Sequence, residues 1–221
     1  LKTILCYGDS NTFGYMPAED YRVGCETPPA GLRYNSNQRW TGVMDLELGE
    51  GFKVIEEGLC GRTTVFDDPV EGKHKNGMAY LLPCLESHAP LDGIILMLGT
   101  NDLKKRFSAS ALDIALGISA LIDIVEGSRS GPEGGKPEVL LMCPPPVQGV
   151  SDLAFMFEGA EIKSKKLPVF YKKIAKAKKC YYLEVGKIIE ASSTDGIHYN
   201  KESHIKLGKA VAEYIRGNMF K

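Results

Sequence analysis

The chain has 221 residues, 43% hydrophobic and 25% charged, with 24 Gly and 12 Pro, which is globular composition and excludes disordered, collagen-like and coiled-coil classes. Lys plus Arg total 27 against 28 Asp plus Glu, a formal charge of −1, so neither nucleic acid nor an anionic membrane is an expected partner. The longest apolar run, 94–98, is far too short to span a bilayer.

The predicted elements alternate along the chain. A strand is expected at 3–7, directly followed by Gly8-Asp9-Ser10-Asn11. A Gly before a Ser at a strand end lets the backbone bend and expose the hydroxyl, and a helix starting there aims free N–H groups at the same point. The bland alternative makes Ser10 a helix N-cap. A helix is expected at 39–49, with Trp40, Val43, Met44 and Leu48 on one side. The second strand, 52–56, leads into Glu57-Gly58-Leu59-Cys60-Gly61-Arg62-Thr63-Thr64. There Gly61 could bring a backbone N–H close to a ligand oxygen. The third strand, 93–98, is a continuous apolar run, as for a strand buried on both faces. It ends in Gly99-Thr100-Asn101-Asp102, where Asn101 offers an amide donor for a developing oxyanion, or simply a polar turn.

A helix follows at 109–125, apolar at Leu112, Ala115, Leu116, Ser119 and Ile122, and then a Gly-, Ser- and Pro-rich surface loop at 127–137. The fourth strand, 139–143, is stopped by Pro144, Pro145 and Pro146. A long excursion to about residue 160 carries Phe155, Met156 and Phe157, assigned to core, pocket wall or subunit interface. The helix at 170–179 places Phe170, Tyr171, Ile174 and Ala177 inward, and the eight lysines of 163–179 read as a solvated face. After the last strand, 181–185, comes Asp195-Gly196-Ile197-His198 and a helix at 201–214 with Ile205, Leu207, Val211 and Tyr214. His198 follows Asp195 by three positions, so one turn lets the carboxylate accept from the imidazole's second nitrogen. The alternative is a solvated surface turn.

Strands alternating with helices imply an α/β fold with a mostly parallel sheet. Five strands with crossovers suggest a flavodoxin-like three-layer α/β/α sandwich of order 2-1-3-4-5, in one domain, 1–221. Together the four motifs supply a nucleophile, a base, an orienting carboxylate and oxyanion donors, the set that acyl transfer needs. No G-x-S-x-G elbow, P-loop or H-E-x-x-H pattern is present. His198 and His204 are not spaced as a zinc pair, and no metal or cofactor is expected. His74 and His88 are expected to be ordinary surface or partly buried residues. Six scattered cysteines, Cys6, Cys25, Cys60, Cys84, Cys143 and Cys180, with no C-x-x-C pair, read as reduced thiols. No leader pattern precedes the first motif, and a cytoplasmic location is expected.

In this order, Gly-Asp-Ser, Gly, Gly-x-Asn-Asp and Asp-x-x-His resemble the motifs of the SGNH (GDSL) hydrolase family, from Tyr7 to Tyr199. The resemblance implies Ser10 as nucleophile, His198 as general base and Asp195 as its orienting partner. It assigns the oxyanion hole to the N–H groups of Ser10 and Gly61 and the side chain of Asn101, and it implies the same three-layer fold. Arg39-Trp40-Thr41-Gly42, Glu56-Glu57-Gly58-Leu59, Arg62-Thr63-Thr64, 97–102, 112–117 and Phe157-Glu158-Gly159 look like the bacterial arylesterase/acyltransferase branch. That branch cleaves small acyl esters, some members transfer the acyl group to alcohols or peroxide, and some form octamers. A small-molecule ester and a homo-oligomer are therefore the implied partners. Tyr15 stands where the branch tends to carry Trp, and Cys60 where it tends to carry Ser, which bears on acyl and alcohol selectivity. A carbohydrate acetyl esterase and a non-catalytic binding module are the rival readings.

Overall fold

The structure is a computed structural model that describes residues 1–17, 32–149 and 153–220. Five strands, β1 (Lys2–Gly8), β2 (Phe52–Gly58), β3 (Gly93–Met97), β4 (Glu138–Cys143) and β5 (Tyr181–Glu184), form one sheet of order β2-β1-β3-β4-β5. Every pairing is parallel. The helices are α1 (Ser10–Phe13), α2 (Trp40–Leu48), α3 (Gly77–His88), α4 (Ala111–Gly127), α5 (Leu153–Met156), α6 (Ala160–Ser164), α7 (Leu167–Lys178) and α8 (Lys201–Tyr214).

Alternate strand residues face opposite layers. Leu5, Tyr7, Ile94, Leu96, Leu141 and Cys143 pack under α3, α4 and α7. Ile4, Cys6, Ile95, Met97, Leu140 and Met142 pack under α2 and α8. The central strands are buried on both sides, which is why their sequences are apolar runs and not alternating patterns. This is the three-layer α/β/α sandwich expected from the sequence, with the expected strand order.

The register places the strand ends that carry the candidate motifs. Gly8 lies opposite Gly58 on one side and Met97 on the other, so β1, β2 and β3 end level. The chain leaves β1 toward one edge and returns at β3 toward the other. The crevice at the carboxyl ends of these two strands is the switch point where open α/β sheets hold ligands.

Some details differ from those the periodicity predicts. Leu112 and Leu116 of α4 are 47% and 51% exposed, and the helix packs through Ile114, Ala115, Ile118, Leu121, Ile122 and Val125. α4 is apolar nearly all round, so its period does not single out a face, and contact with the sheet and α7 does. In α7 Leu167, Tyr171 and Ala175 are buried, Phe170 and Ile174 pack partly against the core, and Ala177 is exposed. α3 has no counterpart among the predicted elements, because Pro83 lies inside it and Pro ordinarily ends a helix. Asn76 caps it by accepting the Met78 N–H at 2.9 Å, and Leu81, Cys84 and Leu85 supply the apolar stripe. Near α5, Phe155 is 83% exposed and Phe157 is buried.

Candidate active site

The nucleophile candidate sits at the β1–α1 junction. Asp9, not Ser10, is the N-cap of α1: its carboxylate accepts the Asn11 N–H at 2.9 Å. Ser10 is the first helical residue and is 6% exposed. Gly8 does not supply a sharp bend, since it is the last residue of the strand. It supplies room, because a Cβ there would collide with the Thr12 side chain and lie 2.9 Å from the Met97 carbonyl oxygen. Asn11 then ties this turn to the far end of the chain by donating its amide to the Ile197 carbonyl at 3.2 Å.

That far end is the loop between β5 and α8. Asp195 accepts the N–H groups of Ile197 and His198 through Oδ1, at 3.0 and 2.9 Å. Its Oδ2 lies 2.7 Å from His198 Nδ1, and His198 Nε2 lies 3.0 Å from Ser10 Oγ. Burial alone would raise the Asp195 carboxyl, but the His198 hydrogen bond and charge, with the two amides, hold it below its ordinary range. The Tyr15 ring packs against the His198 ring with centroids 4.5 Å apart.

The other two motifs close on the same crevice. The Leu59 N–H donates to the Gly8 carbonyl at 3.1 Å, fastening the loop after β2 to the end of β1. Gly61 has φ +79°, and a Cβ there would collide with the Glu71 carboxylate, so both conformation and space call for glycine. Asn101 opens the turn after β3 and donates its amide to the Arg62 carbonyl at 3.1 Å. This contact identifies the nitrogen end of the amide and leaves its second N–H for another acceptor. The structure thus joins Ser10, His198 and Asp195 in one hydrogen-bonded chain. Gly61 and Asn101 are brought to adjoining loops, linked through Arg62.

Several supporting residues lie inside the quoted motifs, but their roles there carry no signal in the sequence. Arg62 is 3% exposed and stacks on Tyr7 with 4.1 Å to the ring centroid. It donates to the Gly8 carbonyl at 2.9 Å and also to the Glu57 carbonyl. Asp102 accepts the Thr64 N–H at 3.0 Å and the Thr64 hydroxyl. Burial pushes Asp9 and Asp102 each up to about 6, against the opposing pull of their hydrogen bonds. Burial also pushes the Cys60 thiol up to about 12, which makes it an inert neighbour and not a second nucleophile. Tertiary contacts create these environments, and only the capping position of Asp9 has a local signal.

Metal ligation has one candidate group among the described residues: Glu57, Cys84 and His88, whose ligand atoms lie within 4.8 Å of one another. Glu57 Oε1 and His88 Nε2 already satisfy each other at 3.0 Å. Burial pushes the Cys84 thiol up to about 12, and the Arg62 guanidinium lies over the neighbouring Tyr80 ring. The group is a satisfied hydrogen-bonded cluster around a protonated thiol. His204 is buried and accepts the Trp40 N–H at 3.2 Å. Burial drives it down to about 3. Cys6, Cys60, Cys84, Cys143 and Cys180 are free thiols, and Cys25 lies outside the described residues. No helix among the described residues is long and apolar enough to cross a membrane.

Comparison with known proteins identifies the family. The model of the GDSL-like lipase/acylhydrolase family matches residues 6–204. The aryl esterase of M. smegmatis is 41% identical, with 98% of this chain and 99% of that one covered and a TM-score of 0.91. A carbohydrate acetylesterase from Sinorhizobium meliloti is 40% identical, with coverage of 98% and 99% and a TM-score of 0.90. A carbohydrate acetylesterase family member from the same organism is 33% identical, with 98% of each chain covered and a TM-score of 0.87. No curated protein matches the chain.

Proposed function

The chain belongs to the GDSL-like lipase/acylhydrolase family and is a serine ester hydrolase, and on that premise we propose that it cleaves small acyl esters through a covalent acyl-serine. The observation that carries this reading is the chain Ser10 Oγ–His198 Nε2–His198 Nδ1–Asp195 Oδ2, with links of 3.0 and 2.7 Å. His198 Nε2 takes the Ser10 proton as Oγ bonds to the ester carbonyl carbon, and the carbonyl electron pair moves to oxygen. Asp195 holds the Nδ1–H tautomer and stabilises the imidazolium. The Tyr15 ring beside it favours the same cation. The oxyanion receives the N–H groups of Ser10 and Gly61 and the free N–H of the Asn101 amide. Collapse breaks the bond to the alcohol oxygen, which takes the proton from His198. Water, or another alcohol, then repeats the sequence in reverse and frees the acyl group. None of these steps calls on a metal or cofactor.

The chain-spanning contacts, Ser10 with His198 and Asn11 with Ile197, support a single catalytic domain over 1–221. A homo-oligomer, in the limit an octamer, fits the outward Leu112 and Leu116 of α4 and the exposed Phe155. Light scattering of the purified protein reads its mass, and a strict monomer rejects that part. The free thiols fit a cytoplasmic setting.

The deciding experiment is Ser10→Ala. Hydrolysis of p-nitrophenyl acetate is expected to fall to background, with loss of labelling by a fluorophosphonate probe. Retained turnover or labelling in the variant rejects Ser10 as the nucleophile, whereas failure of the probe to label the wild-type protein favours the binding-module reading. The similarity to a carbohydrate acetylesterase favours one second reading, acetyl removal from sugars. A panel of acetylated sugars set against aryl acetates separates the two.

A further inference from the structure

The loops carrying Gly61 and Asn101 are joined by a buried group of charges that the proposed mechanism does not use. From the segment after β2 come Asp68 and Glu71, and from the segment after β3 come Lys104 and Arg106. Asp68 is 1%, Lys104 3% and Glu71 9% exposed. Glu71 Oε1 accepts from Lys104 Nζ and, at 2.5 Å, from Arg106. Asp68 Oδ2 lies 3.2 Å from Arg106. Asp68 also shapes the turn that presents Glu71, since its Oδ1 accepts the N–H groups of Val70 and Glu71 at 2.8 and 2.9 Å.

The second oxygen of Glu71 faces elsewhere. Oε2 lies 2.4 Å from where a Cβ on Gly61 would stand, and the Lys75 side chain closes the same space at 3.3 Å. One carboxylate therefore faces both loops: Oε2 fills the space beside Gly61 that a side chain would need, while Oε1 holds Lys104. Lys104 in turn is tied to Asn101, because its N–H donates to the Asn101 carbonyl at 3.1 Å. Burial pulls the Lys104 ammonium below its ordinary range, and Glu71 is the foremost group opposing that pull. Charges buried this deeply persist only when paired, and loss of one partner leaves the other uncompensated.

We propose that Glu71 is a positioning residue that sets the spacing between the Gly61 N–H and the Asn101 amide. This rests on the esterase reading, in which those two groups receive the oxyanion. Glu71 touches no reacting atom in this scheme; it acts through Gly61 on one side and through Lys104 and Asn101 on the other. The consequence falls on the transition state, because donors must lie within hydrogen-bond reach of where the oxyanion forms and not of the ground-state carbonyl. A displacement of about 1 Å in such a group costs up to about 100-fold in rate.

The test is a cycle of Glu71→Gln, Asn101→Ala and the double variant, assayed with p-nitrophenyl acetate well below the melting temperature of each. Glu71→Gln keeps the shape and removes the charge. Its kcat is expected to fall about 10- to 100-fold, with KM changed less than about threefold, the signature of an interaction made in the transition state. The double variant is expected to lose less than the product of the two single losses, since residues acting as a unit are not additive. Glu71→Asp, which keeps the charge but draws back from Gly61, serves if Glu71→Gln does not fold, and it is expected to show the same split. A kcat within twofold of the wild type, or losses that multiply in the double variant, overturns the proposal. Ser10→Ala in the same assay keeps the two readings apart. If it remains active the Ser10 acyl-enzyme mechanism fails; if it is inactive while the Glu71 variants are not impaired, only this inference fails.

Discussion

Asp195→Asn is the substitution that most directly tests how the triad works. Asp195 Oδ1 accepts two backbone N–H groups, at 3.0 and 2.9 Å, so an Asn at this position keeps its carbonyl oxygen there. Its NH₂ then faces His198 Nδ1, where Oδ2 now sits at 2.7 Å. Two donors cannot face one another, so Nδ1 becomes an acceptor and the ring proton moves to Nε2, opposite Ser10. The base is occupied before the reaction begins. The carboxylate's attraction for the imidazolium is lost as well. At a charge separation of about 4 Å and an effective dielectric constant of about 20 it is worth about 4 kcal/mol, or about three decades in rate. The combined expectation is a loss of about 10³- to 10⁴-fold in kcat, in line with the corresponding change in serine proteases. Single-turnover release of p-nitrophenol at about pH 7.5, near the operating range of a His base, measures it, with circular dichroism to verify folding. A folded variant that loses less than about tenfold refutes the reasoning about tautomer and charge together.

Two further predictions concern stability. Asp9 is raised from 3.8 to about 6 by burial, so its protonated form is favoured by folding. That contribution is fully present below about pH 4 and is lost as pH rises through about 6; at about 1.36 kcal/mol per unit it amounts to at most about 3 kcal/mol. Asp9→Asn keeps an acceptor for the Asn11 N–H and carries no charge to bury. Its melting temperature is expected to approach the wild type as pH falls to about 3.5, below the unfolded value of 3.8, and to exceed it at about pH 8, and a gap independent of pH contradicts this. The acid cost of protonating His204, held down to about 3, is common to both proteins and cancels. Tyr171→Phe removes the buried hydroxyl that donates to the Leu98 carbonyl at 2.9 Å, just past the end of β3 where no ladder partner remains. It is expected to cost about 1–3 kcal/mol, read as a lower urea midpoint at constant m-value, and an unmoved midpoint rules the contact out as a contributor.

Much of the site is legible in the sequence because its chemistry is written in short runs at strand ends. Asp195 and His198 are three residues apart, and the carboxylate reaches both the backbone and the imidazole within one turn. The apolar runs of β3 and β4 already imply strands covered on both faces. What is illegible depends on partners distant in the chain. The charge of Asp9, the stacked Arg62, and Glu71 between Gly61 and Lys104 have no local pattern, because burial and pairing are properties of the assembled loops. The outer face of α4 is hidden for the same reason: a helix apolar nearly all round takes its orientation from what it packs against.

Length and composition leave room for one domain or two and give no hint of chemistry beyond a near-neutral surface. The sequence by itself determined the alternation of elements and the residues able to react, since these follow from period, turn chemistry and side-chain type; the strand order it only suggested, and the sheet pairing fixed it. Only the tertiary structure decided that Ser10 and His198, separated by 188 positions, meet at 3.0 Å. It does so because β1 and β3 end level at the switch point, and the β5–α8 loop is drawn over that crevice by the Asn11–Ile197 hydrogen bond.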